Sequence, residues 1–167
     1  TTISEVNGTS GRFKVTVSGV FADSGVEKVQ IPVWCADNQS DIRWYDAMKV
    51  SEGTYVTNVS VANHAHHFGV YKIHIYATMG NGVSVRIGAT DTTIEPNNYV
   101  YTRPINQTTC EVGIMGVTAS RVQFPTWSDA NGQDDVVWYE GSNQGNGKWT
   151  AVVDSIKHNS AGKSESL

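Results

Sequence analysis

Leucine occurs once in this 167-residue chain, at Leu167, so helices lack their usual core residue. Gly, Ser, Thr, Asn and Val are abundant instead, and the chain is expected to be all-β. Lys and Arg never cluster. Twelve basic against sixteen acidic side chains give a formal charge of −4 and a pI of about 5.6. Nothing in this pattern would neutralise a phosphate backbone, so nucleic acid is not an expected partner. No run of about 18 apolar residues exists, which excludes membrane insertion by a helix. No secretory leader pattern opens the chain, which begins at Thr1 and is expected to be an excerpt of something longer. Cysteine is scarce: Cys35 and Cys110 have neither metal-site nor redox spacing and allow at most one disulfide. With 39% hydrophobic and 17% charged residues, the chain can still build a core and is expected to fold.

Catalytic signatures are missing too. There is no nucleophile elbow, no phosphate loop and no HExxH. Asp134 and Asp135 are adjacent, whereas paired glycosidase acids need a separation of roughly 5–9 Å. No catalytic residue and no cofactor are expected.

What is present is a repeat of about 94 residues. VQIPVWCADNQSDIRWYDA (29–47) aligns with VQFPTWSDANGQDDVVWYEG (122–141) through Val-Gln-x-Pro-x-Trp and Asp-x-x-Trp-Tyr, with a loop one residue longer in the second copy. Asp41, Trp44, Tyr45, Gly53, Val59 and His64 then fall opposite Asp135, Trp138, Tyr139, Gly147, Val153 and His158. Upstream, FKVTVSGV matches CEVGIMGV. Cys35 and Cys110 occupy non-equivalent positions, which argues against a disulfide between them. The expected organisation is a first repeat over 1–95, a linker over 96–107 and a partial second repeat over 108–167, the Pro- and Asn-rich segment EPNNYVYTRPINQT (95–108) being expected to hold the linker plus the first strand of copy two.

Period-two alternation runs through copy one at Phe13–Val17, Val29–Val33, Tyr55–Val61, Tyr71–Ile75 and Val83–Ile87. Asp23-Ser24-Gly25, Asp37 to Ser40, Glu52-Gly53 and Asn81-Gly82 supply turns. With strands near Thr2–Val6 and Ile42–Tyr45, about seven are expected, fitting an immunoglobulin-like or fibronectin-like antiparallel β-sandwich. Copy two stops at HNSAGKSESL, before counterparts of the last two strands, and is expected to be an incomplete sandwich.

VQIPVW, DIRWY, the Gly about eight residues on, the His eleven after it and GVYKIHIYA together resemble the Bsp-like repeat (group B streptococcal Bsp-type) of Gram-positive surface proteins. The resemblance covers nearly all of copy one and two thirds of copy two. Such repeats occur in tandem in exported proteins, often beside a peptidoglycan-cleaving domain. The resemblance thus implies a secreted, cell-wall-associated, non-catalytic region whose partner is cell-wall polysaccharide or peptidoglycan and whose parent is a peptidoglycan hydrolase. The rival readings are an adhesin module for a host protein or glycan, and a structural stalk.

Two sets of residues are candidates for binding. Trp44, Tyr45 and Asp41, with Trp138, Tyr139 and Asp135, could form a sugar platform in which an exposed ring stacks on a pyranose and a carboxylate bonds its hydroxyls. Trp34 and Trp127 are expected in core or edge packing. The stretch HAHHFG places His64, His66 and His67 close together, and zinc accepts three imidazoles. Copy two keeps only the first as His158, so the expected role of the shared histidine is structural, with His66 and His67 incidental. His74 is expected to face solvent or a packed neighbour.

Overall fold

A computed structural model describes residues 1–129 and 132–158. The chain divides into two units, 1–96 and 97–167. The end of copy two and part of its polar loop, including Asn131, lie outside the described residues.

Unit 1 contains β1 (Thr2–Asn7), β2 (Arg12–Val17), β3 (Val26–Trp34), β4 (Arg43–Asp46), β5 (Met48–Ser51), β6 (Thr54–Ser60), β7 (Gly69–Met79) and β8 (Ser84–Ile94). They form two antiparallel four-stranded sheets, ordered β1-β2-β6-β5 and β4-β3-β7-β8. The apolar members of each alternating set face inward: Phe13, Val15 and Val17 from β2, Val29, Ile31 and Val33 from β3, Tyr71, Ile73 and Ile75 from β7 are all buried. Phe13 meets Tyr71 edge-on at 5.3 Å between ring centroids, joining the two inner faces. The chain changes sheet after β2, after β4 and after β6, which gives the immunoglobulin-like sandwich expected from the alternation.

An eighth strand, β5, was not expected. All four of its residues are exposed, so no alternation betrays it. It is an edge strand, reached by switching sheets at Ala47, whose N–H donates to Val29 O. The β5–β6 turn explains the recurring glycine: Gly53 has φ +63, and a Cβ there would lie 2.5 Å from the Phe21 ring. Gly147, its counterpart, has φ +72.

Unit 2 contains β9 (Tyr99–Pro104), β10 (Thr109–Met115), β11 (Gln123–Thr126), β12 (Val137–Glu140), β13 (Ser142–Gly145) and β14 (Lys148–Asp154). The sheet β13-β14-β10-β9 reproduces β5-β6-β2-β1, and the pair β11–β12 reproduces β3–β4. Within the segment read as a linker plus the first strand of copy two, 99–104 form β9, which pairs with β10 from Tyr99↔Met115 to Pro104↔Cys110. No counterpart of β7 or β8 stands among the described residues of unit 2.

Candidate functional site

The recurring residues sort into two groups, on opposite sides of the strands that carry them. The first lies inside. In unit 1 the Asp41 carboxylate closes the loop between β3 and β4, accepting from the Cys35 N–H at 3.1 Å and the Ala36 N–H at 3.0 Å. The Asp41 carbonyl accepts from His64 Nδ1 at 2.8 Å, and His64 Nε2 lies 2.8 Å from the Tyr45 hydroxyl. Because a carbonyl can only accept, Nδ1 carries the proton and Nε2 accepts from the Tyr45 O–H. Both nitrogens of the buried ring are thereby used. Burial pushes the His64 pKa below its ordinary value, outweighing the Asp41 carbonyl bond and charge that favour the proton. Burial likewise raises the Tyr45 hydroxyl.

Unit 2 rebuilds this lock. Ser128 N–H donates to Asp135 Oδ1 at 3.0 Å, His158 Nδ1 lies 3.3 Å from the Asp135 carbonyl, and Tyr139 Oη lies 3.3 Å from His158 Nε2. The second carboxylate oxygen is satisfied differently in the two units. In unit 1 His67 Nδ1 donates to Asp41 Oδ2 at 2.9 Å; in unit 2 the Ser128 hydroxyl donates to Asp135 Oδ2 at 2.7 Å. His67 is therefore not incidental, which corrects the reading from sequence. It does the work that Ser128 does in the other copy, where Cys35 has been exchanged for serine. Burial alone would raise the Asp41 carboxyl, but the bonds from His67, Ala36 and Cys35 hold it below its ordinary value.

The structure places Asp41 and Tyr45, and their counterparts Asp135 and Tyr139, in this inner cluster and not beside Trp44 or Trp138. Tyr45 stands opposite the core residue Ile31. The three imidazoles of HAHHFG do not converge: His64 is enclosed between Asp41 and Tyr45, and His67 bonds Asp41. Among the described residues no group of three His, Cys, Asp or Glu side chains could hold a metal ion. Cys35 and Cys110 are free thiols.

The second group lies outside, on the surface of the β4-β3-β7-β8 sheet. Gln30, Pro32 and Trp34 alternate with Val29, Ile31 and Val33 and so share the outward face, where Gln30 is half-buried and Pro32 is buried. Trp44 stands opposite Pro32 and is 54% exposed, its ring centroid 5.3 Å from that of Tyr76 on β7. Asp46 stands opposite Gln30, whose Nε2 donates to Oδ1 at 2.8 Å. Trp34 is buried, but from the outer side, with His74 edge-on to it at 4.8 Å. Its counterpart Trp127 is 42% exposed, because no strand equivalent to β7 lies against it among the described residues. The expectation of core or edge packing fails for Trp127.

Unit 2 presents the same outward set. Pro125 stands opposite Trp138, which is 61% exposed, and Gln123 opposite Glu140, with Gln123 Nε2 donating to Glu140 Oε2 at 3.0 Å. Arg121 adds a two-pronged contact to Glu140 at 2.7 and 2.9 Å. Sequence reasoning singled out Trp44 and Trp138 but missed Gln30, Pro32, Asp46 and Tyr76. The signal was in the Gln-x-Pro-x-Trp spacing, which puts all three side chains on the face opposite the core.

Among the described residues no helix is long and apolar enough to cross a membrane. A search of curated proteins found no significant match. Among solved structures, a polysaccharide deacetylase from Bacillus cereus is similar at 10% identity and a TM-score of 0.45, over 60% of this chain and 30% of that one. The model of the GBS Bsp-like repeat matches residues 2–92 and again 100–164, the two spans over which the strand order and the Asp-Tyr-His lock recur, and the chain belongs to that repeat family as two tandem copies.

Proposed function

We propose that these tandem units are a non-catalytic cell-wall-binding or targeting region of an exported Gram-positive protein whose catalytic partner is a peptidoglycan hydrolase. The observation that carries the reading is the repeated display, in both units, of a tryptophan more than half exposed on an outward sheet face. Desolvating a large exposed indole costs little and yields much on contact, so such residues are typical binding anchors. The inner Asp-His-Tyr cluster supports the non-catalytic part of the reading. Its histidine is enclosed and its carboxylate is spent on closing a loop, so neither side chain is aimed at a substrate.

Cosedimentation of the full chain with purified peptidoglycan tests the proposal. The chain is expected in the pellet. A stalk, or an adhesin specific for a host molecule, would stay in the supernatant.

A further inference from the structure

We infer that the outward face built by Gln30, Pro32, Trp34, Trp44, Asp46 and Tyr76, together with its counterpart in unit 2, is the binding site and that its ligand is an uncharged pyranose strand. This inference rests on the wall-binding reading and goes on to choose among the wall polymers.

Recurrence separates this face from ordinary packing. Of the core-facing residues of β3, Val29 returns as Val122 while Ile31 becomes Phe124 and Val33 becomes Thr126, whereas the outward Gln, Pro and Trp all return unchanged in unit 2. The Trp opposite the Pro returns as well, and the carboxylate opposite the Gln returns as Glu140. Pro32 and Trp34 are buried in unit 1, but Trp44 and Trp138 are exposed in both units, and exposed indoles need no such repetition for folding.

Charge selects the ligand class. The acidic group recurs beside the indole, and it denies the face the net positive charge that the phosphates of a teichoic acid would need. A base recurs with it, Lys28 standing where Arg121 stands in unit 2, so each face sets one acid against one base; of the other bases on this face, Lys72 pairs with Asp91 at 3.0 Å and Arg86, beside His74, belongs to β8, which has no described counterpart. What the two faces share is an indole, a prolyl ring, an amide–carboxylate pair and one base that balances the acid. That set suits a sugar, whose apolar ring face stacks on the indole while its hydroxyls bond the carboxylate and amide. In unit 1 the face deepens beyond Trp34 into a cleft of about 560 Å³ lined by Cys35, Asp37, Phe68, Val70 and Lys72. This lies within the range of about 300–1,000 Å³ common for small-ligand sites and offers a seat for a neighbouring sugar.

The test is cosedimentation of the full chain with wall sacculi, intact or stripped of phosphate polymers by hydrofluoric acid, at about 0.05 M and about 0.5 M NaCl. The expected result is affinity unchanged within about 2-fold by stripping or salt, and lowered by at least about 10-fold in a Trp44→Ala, Trp138→Ala double variant with an unchanged melting temperature. Met48→Ala, on the exposed edge of the other sheet, should bind as the parent does. If the double variant does not fold, Gln30→Ala with Gln123→Ala, which spares both indoles, should weaken binding at least about 5-fold. Loss of binding on stripping or at high salt makes a phosphate polymer the ligand and overturns the inference. So does full retention by the folded double variant, or weakening by Met48→Ala, although the wall-binding reading then stands. Failure of the parent chain to bind any wall sinks that reading itself.

Discussion

At the scale of residues, the Asp-His-Tyr lock has measurable consequences. His64→Ala would leave the Asp41 carbonyl and the Tyr45 hydroxyl without their partner in a buried site, and each such loss costs about 1–3 kcal/mol. We expect unit 1 to lose about 3 kcal/mol in urea unfolding, and unit 2 to lose less on His158→Ala, because its corresponding contacts are longer at 3.3 Å. The same histidine makes unit 1 pH-sensitive. Its folded pKa lies below the ordinary 6.5, so below pH 6.5 the unfolded chain binds more protons and stability drops as pH is lowered. Asp41 acts at lower pH in the same direction: its folded pKa is depressed, so its contribution is present above the ordinary 3.8 and is lost as pH falls through the folded value. Urea midpoints for unit 1 should therefore begin to drop below pH 6.5, and His64→Gln should flatten that first segment while leaving the more acidic one. A midpoint flat from pH 7 to 5 would contradict the assignment.

Elements depend on how closely neighbouring strands approach. On β10, a Cβ at Gly113 would lie 2.5 Å from the ring of Tyr101 on β9, whose hydroxyl is anchored to Glu111 at 3.0 Å. Burial and that carboxylate push the Tyr101 pKa up to about 12, so the ring stays a neutral donor and has little freedom to move aside. Gly113→Ala is expected to cost about 1–3 kcal/mol, read from the unit 2 unfolding transition. Thr16 occupies the aligned position in unit 1, so the glycine is required by the Tyr101 ring and not by the repeat. Strand assignment from alternation succeeded for β2, β3, β6 and β7, where one side of each strand is buried. It failed for β5, which buries neither side, while β9 lies in the Pro- and Asn-rich segment where the first strand of copy two was expected.

For the whole molecule, the two units differ in how fully their cores are closed. Val15, Val29, Ile31, Ile73 and Ile75 of unit 1 are completely buried, whereas Trp149, Ala151 and Val153 of unit 2 keep 5–9% of their surface. Amide hydrogen exchange should therefore be slowest in β3 and β7 and faster in β10 and β14. Equal protection of the two units would show that unit 2 is held as tightly as unit 1. Since both cysteines are free, thiol titration in denaturant should find two per chain. Cys35 should react slowly in the native state, because burial and then Asp41 and Asp37 push its thiol pKa up.

The sequence alone determined the class, the duplication and the sandwich. Period-two burial and turn chemistry are local, and repetition is visible without coordinates. It also identified the recurring Trp, Asp, Tyr and His, but it could not sort them. That required the tertiary structure, because the side of a strand a residue occupies depends on which face the opposing sheet covers. Trp44 and Tyr45 are neighbours in sequence, yet Tyr45 turns inward to His64 and Trp44 outward to Tyr76. The role of His67 was equally beyond local reading. It serves a carboxylate 26 residues away, and only the fold that brings the β6–β7 connection against the β3–β4 loop makes imidazole in one copy and a serine hydroxyl in the other answers to the same buried oxygen.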